Sequence, residues 1–205
     1  MKGEDIMYKL SDLFMRYPVL KNCRESLEAA LDAMITTYRA NKKILLCGNG
    51  GSAADCDHIA GELLKGFLSK REVNDPSLPQ DLQDVLQGSL PAISLPSITA
   101  AMTAAINDLD PAYAYAQLLY GLAQQGDLLI AISTSGNAEN VYHAARLAKT
   151  RGITVLALTG QTGGKLSSIA DVCICVPEDE TYKIQELHLP IYHFLCAAVE
   201  EEFFE

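Results

Sequence analysis

Apolar residues fall along this chain in two alternating textures. Short unbroken apolar runs at 43–47, 91–94, 127–132, 153–158 and 171–176 read as strands covered on both faces. Between them, at 52–67, 97–106, 112–124, 137–150 and 165–169, apolar residues recur at helical steps. Two helical segments precede the first strand, at 4–16 and 22–40, and a last one spans 181–204. In 22–40 the stripe is Leu27, Leu31, Met34 and Tyr38, with Glu25, Glu28, Asp32 and Arg39 between its members. Strand alternating with helix specifies an α/β fold, a three-layer αβα sandwich around a five-stranded, mostly parallel sheet with N-terminal helices added. A ligand then belongs at the carboxyl ends of the strands.

Two segments stand outside this alternation. Residues 69–89 hold two prolines and several charges, with a short helical turn over 79–86. They read as an inserted surface loop, with a lid or an oligomer contact as the alternative. The N-terminal helices are the other. A sheet with its own crossover helices is already covered, so the stripe of 22–40 and Ile6, Met7, Leu10, Leu13 and Phe14 are expected to be buried against another copy.

Composition narrows the function classes. At 205 residues and 49% hydrophobic, the chain suits one folded domain, 1–205. A formal charge of −10 argues against nucleic acid as a partner. It leaves room for one phosphate, which backbone N–H groups at a helix start can bind. No apolar run reaches the roughly 20 residues of a membrane span, and no signal-peptide pattern opens the chain. The expectation is a cytoplasmic protein with no membrane partner. Cys23, Cys47, Cys56, Cys173, Cys175 and Cys196 form no C-x-x-C pair and read as reduced thiols.

Two strands end in loops of small, hydroxyl-bearing residues. Lys43–Cys47 runs into Gly48-Asn49-Gly50-Gly51-Ser52, and Leu128–Ile132 runs into Ser133-Thr134-Ser135-Gly136-Asn137. Glycine admits close approach to a ligand, hydroxyls add donors, and the next helix aims free N–H groups there. Together they describe a site for a small phosphorylated molecule. Ser52 is placed to cap the following helix, with Asp55 in the capping-box position. On that helix His58 and Glu62 are one turn apart, either an exposed polar stripe or a functional pair. In the last helix Gln185, Leu189 and His193 share one side, His188 reads as a structural histidine, and Pro190 removes one helical hydrogen bond. The glycines of the first loop begin like a dinucleotide motif, but no acidic residue ends a second strand about 20 residues later. No nucleotide cofactor is expected.

These motifs, with Asn107-Asp108, Gly126-Asp127, Leu158-Thr159-Gly160 and Ile184-Gln185-Glu186, resemble the SIS (sugar isomerase) domain family and, within it, the bacterial phosphoheptose isomerases. The resemblance covers nearly the whole chain. It implies a flavodoxin-like sheet and an aldose–ketose isomerase acting on a sugar phosphate through an enediolate, most simply sedoheptulose 7-phosphate. By it, Ser52, Ser133, Thr134 and Ser135 match phosphate-binding residues and Asn49 a substrate contact. Gly50, Gly51, Asn107, Asp108 and Gln185 belong to the same substrate set. Glu62 matches the catalytic base and His193 the acid. Zinc, where members hold it, would be bound by His58, Glu62, Gln185 and His193. The family implies a homotetramer with sites at subunit borders. Ala138 stands where a serine is usual. SIS domains also serve as non-catalytic phosphosugar sensors, or as proteins associated with a replication initiator, so a binding protein is the alternative.

Overall fold

The computed structural model describes residues 2–204, with side chains from residue 9 onward. The strands are β1 (Ile44–Gly48), β2 (Ala92–Ser94), β3 (Leu128–Ile132), β4 (Thr154–Thr159) and β5 (Val172–Cys175). They lie in the order β2-β1-β3-β4-β5, and every neighbouring pair is parallel. This order reverses direction between β1 and β3, the crevice where open α/β sheets bind ligands. The register pairs Gly48 with Ile132, so the loops after these two strands start level with each other.

The helices are α1 (Lys2–Arg16), α2 (Arg24–Arg39), α3 (Gly51–Leu64), α4 (Gln80–Val85), α5 (Thr99–Asp108), α6 (Ala114–Leu122), α7 (Glu139–Thr150), α8 (Gly164–Ser167) and α9 (Thr181–Phe204). Strand residues alternate between two cores because successive side chains point to opposite faces. Ile44, Leu46, Ile130 and Leu158 pack on one side with residues of α2, α3 and α9. Leu45, Leu129, Val155 and Ala157 pack on the other, under α5, α6 and α7. α9 runs unbroken through Pro190. No helix among the described residues is long and apolar enough to cross a membrane.

The N-terminal helices have a different use from the one their stripes suggest. Leu27, Leu31 and Met34 are buried inside the chain's own core, and α2 is itself a cover of the sheet. Leu10, Leu13 and Phe14 join the same core, with α1 laid on α9. The side chains of Ile6 and Met7 lie outside the described residues. The inference that these stripes wait for another copy therefore fails. They are consumed within one chain, because α2 itself packs on β3, β4 and β5 and against α9.

The helix after β1 also differs at both ends. Its N-cap is Gly50, at φ 58°, and Ser52 lies one residue inside the helix without a side-chain capping bond. Glycine tolerates that positive φ, so the helix is capped two residues earlier than a cap at Ser52 would place it. At the far end the helix stops at Leu64 rather than at residue 67. Glu200 of α9 accepts the N–H groups of Phe67, Leu68 and Ser69, which draws that segment out of helical geometry.

Candidate functional site

The loops after β1 and β3 enclose a cavity of about 350 Å³ at the carboxyl edge of the sheet. Its walls include Asn49, Gly50, Gly51, Ser52, Ser133, Thr134, Ser135, Ala138, Thr181 and Gln185. None of these side chains carries a charge. The arrangement suits an anion held by N–H groups, hydroxyls and helix starts rather than by a lysine or arginine. Ser52 and Ser133 are buried and line the cavity. Gly136 shapes the second loop. Its φ is +65°, and a Cβ there would fall 2.0 Å from the Gly163 carbonyl oxygen, so no other residue fits. Asn137 then ties the loop down: its backbone N–H donates to Ser135 Oγ, and its amide donates to the Ser135 carbonyl.

Asn49 is held from across the cavity mouth. Its amide and that of Asn140, at the start of α7, exchange two hydrogen bonds of 2.9 Å. Gln185 reaches the first loop from α9, close enough that a Cβ on Gly51 would meet its amide nitrogen at 2.7 Å.

Further along α3 and α9 a second group assembles. His58 Nε2 lies 3.1 Å from Glu62 Oε1, and His58 Nδ1 lies 3.0 Å from the Tyr192 hydroxyl. The His193 ring stands edge-on to His58 with centroids 5.0 Å apart, and Phe67 flanks His193 at 5.6 Å. Glu62 and His193, 131 positions apart in sequence, thus share His58 as a neighbour. Glu62 is 14% exposed at its side chain. Its second oxygen makes no hydrogen bond, with Lys65 Nζ at 3.6 Å beyond bonding reach. That oxygen is buried and ion-paired with Lys65 but accepts no hydrogen bond, so the positioned carboxylate keeps a lone pair able to take a proton.

Burial, then the neighbouring His58, pushes the His193 pKa below the usual histidine range, so its ring is neutral at pH 7. A neutral imidazole can both give and accept a proton. The Tyr192 hydroxyl also reaches Asp55 Oδ1 at 3.3 Å, and burial raises the Asp55 carboxyl above its ordinary value. Asp55, expected in a capping box, is therefore turned toward α9. Tyr192 and Asn140 carry no local sequence signal, because their partners lie on other elements.

His188 is buried and structural. Its Nε2 lies 3.3 Å from the Thr159 carbonyl, and burial lowers its pKa to about 4. Asn107 and Asp108 stand away from both groups. They are exposed at the end of α5, bonded to each other, with Asp108 facing a groove between α5 and α6.

The residues that the family resemblance offers to zinc do not fit an ion as they are placed. Both ring nitrogens of His58 are engaged, and Gln185 leans on Gly51. Among the described residues no three His, Cys, Asp or Glu side chains gather closely enough to hold a metal.

Residues 15–160 match the SIS domain family. The phosphoheptose isomerase of a Nitratiruptor species is 44% identical over 169 residues, which cover 82% of each chain. The phosphoheptose isomerase of Campylobacter concisus is 41% identical over 182 residues, 89% of this chain and 88% of its own. The structure of a phosphoheptose isomerase from Neisseria gonorrhoeae superposes with a TM-score of 0.76 at 31% identity, covering 98% of this chain and 99% of that one.

Proposed function

The chain belongs to the SIS domain family, and on that premise we propose that it is a phosphoheptose isomerase, interconverting sedoheptulose 7-phosphate and glycero-manno-heptose 7-phosphate. The observation that carries this reading is the Glu62 carboxylate, held by His58 on one oxygen and without a hydrogen bond on the other, on the helix whose first turn opens onto the neutral cavity. The phosphate binds between Ser52 and the Ser133–Ser135 loop. Glu62 lies eleven residues beyond Gly51 on α3, roughly 16 Å of helix, with its side chain leaning back toward the N-terminus. That span favours an extended long-chain sugar phosphate over a triose phosphate.

From the ketose, Glu62 takes a proton from C1, and the C2 carbonyl oxygen becomes the enediolate oxygen. His193 moves a proton from the C1 hydroxyl to the C2 oxygen, and Glu62 returns its proton to C2, leaving the C1 aldehyde. Asn49 and Gln185 bind the sugar between these ends. Each step uses a group of the chain itself. Zinc at His58, Glu62, Gln185 and His193 would require His58 to release Glu62 or Tyr192, and no step is derived through it.

For assembly, a homotetramer is the reading the family supports. α5 favours it independently, being a largely apolar helix with only Met102 and Ala105 buried. Asn107 and Asp108 would then serve the site of a neighbouring copy. Incubating the protein with sedoheptulose 7-phosphate and shorter ketose phosphates, followed by NMR, tests the function. Conversion of the heptulose phosphate alone is expected, and no conversion of any of them would leave a binding protein.

A further inference from the structure

Arg71 is the residue of the inserted segment that does not behave as surface. Its side chain is 0% exposed and faces a Glu200 side chain that is 1% exposed. Its backbone sits at φ 44°, which a non-glycine residue adopts only where its surroundings enforce it. Arg71 Nε donates to Glu200 Oε1 at 2.7 Å. The rest of the guanidinium turns to the end of α3, donating to the Leu63 carbonyl at 2.7 Å and to the Glu62 carbonyl at 2.8 Å.

Those carbonyls belong to the last turn of a helix, which has no intrahelical partner for them and carries partial negative charge. A cation there both satisfies them and fixes the axis of the turn. The planar guanidinium serves two carbonyls and a carboxylate from three nitrogens in one rigid fork, whereas an ammonium directs its three donors from a single point. Glu200 completes the arrangement from the other side. Burial pushes its carboxyl up, but the N–H groups of Phe67 and Leu68 and the Arg71 guanidinium outweigh that and hold it below the usual range, so the pair is ionised. The segment held by Glu200 includes Phe67, whose ring packs on His193. One ion pair therefore touches the backbone of Glu62 on one side and, through Phe67, the ring of His193 on the other.

We infer that Arg71 and Glu200 are positioning residues for the isomerisation, setting the separation of Glu62 and His193 by locking the last turn of α3 to α9. This rests on Glu62 and His193 being the base and the acid. Neither Arg71 nor Glu200 lines the phosphate cavity, so the pair acts on the chemical step and leaves phosphate affinity alone.

The test is a double-mutant cycle between Arg71→Lys and Glu62→Gln, reading kcat, KM and melting temperature for each protein. Arg71→Lys keeps the charge but loses the fork, and it should lower kcat by about tenfold to a hundredfold, as displacements near 1 Å do. KM should stay within about threefold. In the Glu62→Gln background the same change should cost no more than about twofold in rate, because the group it positions is gone. An equal loss in both backgrounds, or a loss confined to melting temperature, overturns the inference. Wild-type turnover in Glu62→Gln alone would instead sink the base assignment. Should Arg71→Lys fail to fold, Glu200→Gln, which keeps size and one acceptor oxygen, enters the same cycle with the same criteria.

Discussion

The two ends of the site are built on different physics. The proposed phosphate end is made from backbone N–H groups, small hydroxyls and helix starts, mostly within two short loops and without a charged side chain. The proposed reacting end is made from ionisable side chains on α3 and α9: His58 holds Glu62 one turn away and Tyr192 from across 134 positions, and Arg71 and Glu200 hold the turn below Glu62. A backbone cradle tolerates loss of one hydroxyl because several donors share the anion. A side-chain constellation does not, since its geometry depends on every support. The two ends should therefore respond oppositely to mutation, one in affinity and the other in rate.

The largest effect is expected at the reacting end. His193→Asn should lower kcat by about 10²–10⁴-fold while KM for the sugar phosphate changes little. A steady-state assay decides it, and a loss appearing mainly in KM would move His193 to the binding side of the comparison. Thr134→Ala with Ser135→Ala attacks the other end. Loss of two hydrogen bonds to a charged group, about 1.5–3 kcal/mol each, should weaken binding by at least about a hundredfold. Calorimetric titration with the substrate reads the affinity, and kcat at saturation should be nearly unchanged.

His188 sits on α9 between the two ends, and its test concerns the frame that joins them. Its folded pKa, about 4, lies below the ordinary value of 6.5, so the unfolded chain binds its proton first as pH falls. The stability contributed by keeping it neutral is complete above about pH 6.5 and declines toward pH 4, by about 3 kcal/mol in all. Urea unfolding of wild type and His188→Asn across that range should show the difference narrowing as pH drops. A constant difference would mean His188 is not buried neutral. The smallest effect belongs to Asn140→Ala, which frees the Asn49 amide and should raise KM by roughly threefold, about the worth of one exposed hydrogen bond.

The contrast also explains what could be read from the chain directly. The cavity between the two loops was legible because what builds it is contiguous: an apolar strand, glycines, hydroxyls and a helix start. The sheet and the limits of α9, 181–204, were legible for the same reason. Failures fell where a distant group intervened. The helix after β1 ends at Leu64 because Glu200, more than 130 residues away, takes the next N–H groups. The stripe of α2 looked available to a second copy because nothing local shows that α2 itself covers β3, β4 and β5. Arg71 looked like one more charge in a polar insertion, and Tyr192 like one more residue of an apolar helix. Ser52 looked like a cap because the positive φ at Gly50 cannot be seen in residue types alone.

The account rests on Glu62 carrying a proton between neighbouring carbons, and turnover in D2O with sedoheptulose 7-phosphate tests it most directly. Wild type should isomerise the sugar and place solvent deuterium at the reacting carbon, while Glu62→Gln should bind the sugar phosphate with near wild-type affinity yet isomerise and exchange at least about 10²-fold more slowly. Exchange and turnover by Glu62→Gln at the wild-type rate would contradict it.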